Sequence, residues 1–267
     1  IQEAENFNWD WRVWALVLVG AATMVLFFRW QSRQGGSALV PLALFQDRNF
    51  SLAGATISTV GFAISTYIIP WMIYVQTVQG FTPTKAALLV LPSGLISGFL
   101  SPYIGKLTNT HDPKPFAIAG LTLAAVSMAA SALITTPDVD PRWMYAVSAL
   151  YGVANSMMWG PLSMIATRNL DPRLAGAGSS VYNTTRQIGA VIGSAAIAAM
   201  MSSQLAAKLG GDASEMATAG QTTGVLPAPL HEPFAQAMSN SIWLPSAVIA
   251  AGAVAACFFA KTKSWSD

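Results

Sequence analysis

Charge is what this chain of 267 residues has least of: Asp, Glu, Lys and Arg together make up 10%, against 53% hydrophobic residues. Soluble domains carry about 25% charged residues, so an ordinary soluble domain is excluded. No aspartate or glutamate falls inside the long apolar runs, and both histidines, His111 and His231, fall between them. Proton coupling across a membrane normally needs an ionisable group in the pathway, so this stretch holds no evident proton relay. The single cysteine, Cys257, cannot form an internal disulfide and is expected to pack in the apolar core. No basic run is interleaved with aromatics, which argues against a nucleic-acid partner. His231-Glu232 has no second histidine at metalloprotease spacing. No metal, cofactor or enzymatic activity is expected.

What is present is a series of apolar runs. A bilayer core of about 30 Å needs roughly 18 or more apolar residues in a helix. Seven runs reach that length: Arg12–Trp30, Leu52–Gln76, Ala86–Leu107, Phe116–Thr136, Met144–Thr167, Val181–Met201 and Ile242–Ala260. None shows the period-two alternation of a β-barrel strand. Glu3, Glu5 and Asp10 precede the first run, which lacks the basic start of a signal peptide. The fold class is therefore an all-α, multi-pass membrane protein. Tryptophans at span ends (Trp9, Trp11, Trp14, Trp30, Trp143 and Trp243) fit an interfacial belt.

Lysine and arginine set the orientation. With the N-terminus outside, the inner segments hold Arg29, Arg33, Arg48, Lys106, Lys114, Arg168, Arg173, Lys261 and Lys263, while the outer ones hold only Arg12, Lys85, Arg142 and Lys208. N-outside, C-inside is the expectation. An odd number of spans entering from outside, with no starting methionine, is expected of a piece of a longer chain.

Residues 34–50 form the first long connection, with a flexible Gln34-Gly35-Gly36-Ser37 and an apolar Leu39–Phe45 read as a short interfacial helix. It divides a leading span (residues 1–33) from a six-span bundle (residues 51–267). Within the bundle the turns are short, with Thr82 or Thr84 as a helix cap, except for an outer loop expected over residues 202–240.

Inside the spans three features stand out. Gly94–Gly98 and Gly189–Gly193 are G-x-x-x-G pairs, which let helices approach closely; static packing and a sliding surface both fit. Pro70, Pro92, Pro161 and Pro245 interrupt spans. Polar and aromatic residues form stripes: Thr66, Tyr67, Pro70, Trp71 and Tyr74 in the second span, and Tyr151, Asn155 and Trp159 at four-residue spacing in the fifth. Lipid-facing belt and cavity lining both explain such stripes. In the sixth span Tyr182, Asn183, Arg186 and Gln187 form a polar patch, and Arg186 is the only charge well inside a span. A buried arginine points to function; the alternative is a side chain that snorkels to the inner interface.

Several stretches then resemble one family. Pro41–Phe50 is similar to a P-L-x-L-F-x-x-R-x-F signature, Val78–Pro83 with Ala86-Ala87-Leu88 to a V-Q-G-x-S-P-x-x-A-G turn, and Ala175–Ser180 with Asn183, Arg186–Gly189 and Gly193 to a late span. Gly105–Lys114 resembles a G-x-L-x-D-R-x-G-x-R loop, with Asn109, Thr110 and Asp112 in place of the acid, arginine and glycine. Together they resemble the C-terminal half of the fourteen-span drug:proton antiporters of the major facilitator superfamily, over essentially the whole chain. The resemblance implies a linker span followed by the C-terminal six-helix bundle, with the coupling carboxylates in the missing N-terminal half.

It further implies a proton-coupled exporter of small amphiphilic compounds, hence multidrug efflux and antibiotic resistance, in a bacterial inner membrane. Partners would be the lipid bilayer, the substrate and that N-terminal half. By superfamily analogy Thr66, Tyr67, Trp71, Tyr74, Asn155 and Trp159 face substrate, while Arg186, Gln187, Gly189, Gly193, Gly105 and Lys106 serve gating or structure. A lipid or metabolite exporter on the same fold, an inactive truncated product, and a seven-span receptor are the alternatives. The last lacks the lysine a retinal protein would carry inside its final span.

Overall fold

The computed structural model describes residues 11–33, 41–209 and 226–260. Seven α-helices make up most of them, with no strand among the described residues: α1 (Trp11–Arg33), α2 (Arg48–Thr77), α3 (Pro83–Thr110), α4 (Pro113–Leu133), α5 (Pro141–Thr167), α6 (Ala175–Leu209) and α7 (His231–Cys257). Five of them, α2, α3, α4, α6 and α7, are long and apolar enough to cross a bilayer. Helix α5 has 27 residues, enough for about 40 Å, but Ser148, Tyr151, Asn155, Ser156 and Trp159 make it less apolar.

The few acids are used at helix starts. Asp47 accepts from Phe50 N, Asp112 from Lys114 N, Asp140 from Arg142 N and Asp171 from Arg173 N, while Thr82 accepts from Lys85 N. Each satisfies a donor that a helix leaves open at its first turn. Asp112, which stands where the resembled loop has glycine, is thus the cap of α4.

Helices α2, α4 and α6 begin at one end of the bundle, and α3, α5 and α7 at the other. Helix α2 packs on α6 and α7, α5 on α3 and α4, and α4 also on α7. Exchanging α2, α3 and α4 for α5, α6 and α7 maps this set of pairs onto itself. Since α2 and α5 start at opposite ends, the bundle is an inverted repeat of three helices, the arrangement of many secondary transporters.

Glycines make the crossings close. A Cβ on Gly61 would run into the Arg186 carbonyl, and one on Gly189 into that of Ser58; on Gly193 it would lie 2.7 Å from Phe62 O. Gly120 meets the Met157 and Met158 backbone, and Gly152 meets Ser93. Gly94 and Gly98 have nothing within 4 Å, so only one of the two G-x-x-x-G pairs is a crossing. Hydroxyls add interhelical bonds where a bilayer offers no water: Ser127 to Val147 O at 3.1 Å, Ser246 to Ala125 O at 2.9 Å, Ser239 to Ala132 O at 2.7 Å.

Both ends are clasped. At the Arg48 end, Asn49 donates to Ala260 O (3.1 Å) and accepts from Ala260 N (2.8 Å), and Lys114 donates to Phe259 O (2.8 Å). Leu44, in a short 3-10 turn over Leu42–Gln46, is fully buried there. Residues 34–40 lie outside the described residues. At the opposite end Gln79 Nε2 lies 2.9 Å from the Tyr74 hydroxyl, Thr136 O and Pro137 O, and Tyr74 donates to Thr136 O. Gly80 turns the chain there with φ +65°, a conformation that disfavours any residue with a Cβ.

The outer segment expected over 202–240, part of it as a helix extension, is helical through Leu209 and again from His231, with residues 210–225 outside the described set. Both helices run past the apolar core because Met201 and Leu205 pack in one cluster with Phe234 and Met238, and Asn240 donates to Gln204. One expectation is corrected: Cys257, expected in the core, is exposed on the last turn of α7. In a bilayer the lipid side of a helix is as apolar as its core side, so hydrophobic surroundings do not place a residue inside.

Candidate functional site

The aromatic residues of α2 and α5 meet. Tyr67 stacks on Trp71 with centroids 6.2 Å apart and lies 5.9 Å from Tyr151. Its hydroxyl is 2.8 Å from Ser131 Oγ on α4, which fixes the ring between the two helices. Tyr151, Asn155 and Trp159 follow at helical spacing on α5. The Trp159 indole N–H donates to Asn155 Oδ1. Arg186 on α6 then places its guanidinium 5.8 Å from the Trp159 ring centroid, within cation–π range. Trp71, Tyr67, Tyr151, Asn155, Trp159 and Arg186 thus form one continuous strip across three helices.

A cavity of about 170 Å³ opens beside this strip, between α2, α3 and α5. Tyr67, Trp71 and Tyr151 line it with Ile64, Leu89 and Ser93, among others. Tyr151 belonged to the α5 stripe in the sequence, whereas Leu89 and Ser93 carried no signal there: nothing in α3 marks which apolar or serine residue looks across at α2.

Two expected residues stand apart. Thr66 is fully buried and its hydroxyl reaches only Phe62 O and Ala63 O of its own helix. Tyr74 is also fully buried, its hydroxyl held in the clasp with Gln79. Of the residues assigned to gating or structure, Gly189 and Gly193 form the α2–α6 crossing. Gly105 has open space around it, and Lys106 and Gln187 are exposed.

Arg186 lies inside the bundle and away from the ends of its helices. Its carbonyl packs on Gly61, near the middle of α2. Its guanidinium lies over Trp159, eight residues before the end of α5, or about 12 Å along the helix. Tyr182, one turn earlier on α6, is buried with a hydroxyl that has no hydrogen-bond partner.

A larger groove of about 460 Å³ lies elsewhere, between Thr23, Met24 and Phe27 of α1, Phe45, and Val181, Thr184, Thr185 and Ile188 of α6. Its three threonine hydroxyls are all bonded to carbonyls of their own helices. With their protons spent, these hydroxyls offer a ligand only acceptor lone pairs and no charge, so size does not make it the better site. Among the described residues no three metal-ligating side chains cluster.

Comparison with known proteins follows the same line. The family model described as Major Facilitator Superfamily matches residues 4–194. The chain is 39% identical over 262 residues to the uncharacterized MFS-type transporter Rv1250 of Mycobacterium tuberculosis, covering 97% of this chain and 45% of that protein. It is 26% identical over 207 residues to the multidrug resistance protein Stp of the same organism, covering 78% and 38%. It is 29% identical over 218 residues to a tetracycline resistance determinant of Streptomyces rimosus, covering 76% and 58%. The chain spans about half the length of these curated relatives.

Proposed function

This chain belongs to the Major Facilitator Superfamily, and from that premise we propose that it forms the substrate-cavity wall of a proton-coupled exporter of small amphiphilic compounds. Members of the family are membrane transporters, not enzymes. The observation that carries the finer reading is the strip from Trp71 to Arg186, aromatic along most of its length and polar at one end, beside a cavity on the α2–α5 side. Such a surface packs flat apolar ligands and gives them a few polar contacts for orientation. The relatives named for multidrug and tetracycline resistance favour efflux.

In this reading α2–α7 is one bundle of an alternating-access pair, α1 is a linker span, and the protein lies in a bacterial inner membrane. Proton-carrying groups lie in a further, N-terminal half, because α2–α7 have no acid away from the helix ends. Arg186, Gln187, Gly189 and Gly193 serve the movement of α6.

The test is flux of fluorescent amphiphiles, one anionic, one neutral and one cationic, in proteoliposomes of the complete transporter that carries this chain. An imposed pH gradient should drive uptake, and nigericin should abolish it. Trp71→Ala and Asn155→Ala should each reduce flux with the protein still folded. Flux indifferent to the collapsed gradient refutes proton antiport. Unchanged transport of every substrate by both variants refutes the cavity. A lipid or metabolite exporter would show the same coupling but no flux of any of these probes.

A further inference from the structure

We propose that the Arg186 end of the strip binds the anionic group of an acidic amphiphile, whose apolar body lies along Trp159, Tyr151, Tyr67 and Trp71. The inference rests on the export reading and narrows its substrate class.

Arg186 is the only charge of α2–α7 away from the helix ends. A guanidinium at this depth needs a partner for its charge and its five N–H donors. Among the described residues its guanidinium lies over the Trp159 ring and near Tyr182, and it makes no hydrogen bond or ion pair. An aromatic face attracts the cation but accepts none of the in-plane donors in the manner a carboxylate does. The acids at the bundle's ends are no substitute: Asp47, Asp112, Asp140 and Asp171 hold backbone donors at helix starts.

A second, independent group points the same way. The Tyr182 hydroxyl, one turn from Arg186 on the same helix, is buried and unpartnered. An unmade bond in such surroundings is costly, and a ligand oxygen beside Arg186 would be an acceptor within the same region of α6. The guanidinium sits about 12 Å from the end of α5, whereas Arg168 and Arg173 stand at that end itself, where a headgroup is reached by snorkelling.

The strip also sizes the ligand. From Trp159 to Tyr151 is two helical turns and more, about 12 Å, and the 170 Å³ cavity begins at Tyr151. Asn155 holds the Trp159 ring in its plane. The site therefore suits an elongated apolar body with one acidic end, and a cationic end would meet Arg186 with repulsion.

The experiment measures binding, which does not require transport. The whole chain in nanodiscs is titrated with three dansyl-undecyl probes that differ only at the tip: carboxylate, primary amide and trimethylammonium, with empty nanodiscs as the blank. Wild type should bind the carboxylate roughly 10- to 100-fold more tightly than the amide, the range expected for hydrogen bonds to a charged group, and the ammonium least. Arg186→Gln should abolish that preference, bringing carboxylate binding level with amide binding. Arg186→Lys should keep part of it, since charge remains but the fork is lost. Equal binding of carboxylate and amide by wild type, or preference for the ammonium, overturns the proposal whether or not any variant folds; so does a carboxylate preference that survives Arg186→Gln. If the amide binds and Trp71→Ala weakens it while no carboxylate preference exists, the anion inference alone fails and the cavity reading stands.

Discussion

The two G-x-x-x-G pairs have the same spacing and opposite surroundings, so alanine at each should have opposite effects. At Gly193 a Cβ would lie 2.5 Å from Ser65 Oγ and 2.7 Å from Phe62 O, where ordinary contact begins at 3.4 Å. The hydroxyl can rotate away, giving up its 3.0 Å bond to Ala190 O, but the carbonyl belongs to α2 and moves only if the helices part by about 0.7 Å, the gap between those contact distances. Overpacking of this kind costs about 1–3 kcal/mol. Lost interhelical hydrogen bonding adds about 1 kcal/mol. The higher helix propensity of alanine returns about 0.8–1 kcal/mol.

The net effect of Gly193→Ala is thus destabilisation by about 1–3 kcal/mol, and Gly189→Ala, which meets the Ser58 carbonyl, should do the same. At Gly94 and Gly98 there is nothing to strike, and only the propensity gain remains. With 1 kcal/mol worth about 2–4 °C in a domain of this size, Gly193→Ala should lower the melting temperature by roughly 2–12 °C and Gly98→Ala should leave it equal or raise it by about 2–4 °C. Thermal melts of detergent-solubilised protein, read by size-exclusion chromatography after heating, measure both. A Gly98→Ala loss as large as that of Gly193→Ala would refute the assignment of the crossing.

Three further outcomes follow from the clasps and the strip. Asn49→Ala orphans both Ala260 backbone groups and should cost about 2–3 kcal/mol, with faster amide exchange confined at first to the end of α7; uniform exchange along α7 would argue against a local latch. Gly80→Ala must hold a left-handed backbone and should cost about 1–2 kcal/mol, visible in the same melts; no change would mean the turn relaxes freely. Thr66→Val removes a hydroxyl bonded only within α2, so transport should be unchanged where Trp71→Ala reduces it; equal loss in both would bring Thr66 into the site.

Apolar runs mark where all seven helices lie, and five of the helices are apolar over a bilayer's thickness whatever they pack against. Hydropathy misplaces ends where a helix outlasts the membrane, as α6 and α7 do around Leu205 and Phe234. It also misjudges Cys257, since lipid and core ask for the same side chains. The aromatic stripes of α2 and α5 are visible separately. That Tyr67 meets Tyr151 is a property of the crossing and not of either periodicity. Tyr74 shares the Trp71 side of α2, with rings 5.8 Å apart, yet it turns into the clasp because Thr136 offers a carbonyl there. A sequence stripe cannot register where a neighbouring turn ends.

The stretches that made the chain recognisable hold its seams. In Pro41–Phe50, Leu44 and Phe50 are buried, Asp47 caps α2 and Asn49 latches α7. In Val78–Pro83, Gln79 ties two turns together and Gly80 supplies the left-handed step. In the α6 stretch Gly189 and Gly193 make the crossing. Each needs one residue type for a geometric reason, so each can read as a motif. The strip needs only rings and a few polar tips at the right depth, which several residue types supply, and its members are scattered over α2, α5 and α6. Arg186 is the exception that belongs to both sets: its carbonyl is the contact surface for Gly61, and its guanidinium closes the strip over Trp159. On the proposed reading, a ligand drawn to that guanidinium would pull directly on the α2–α6 crossing, because one residue carries both contacts.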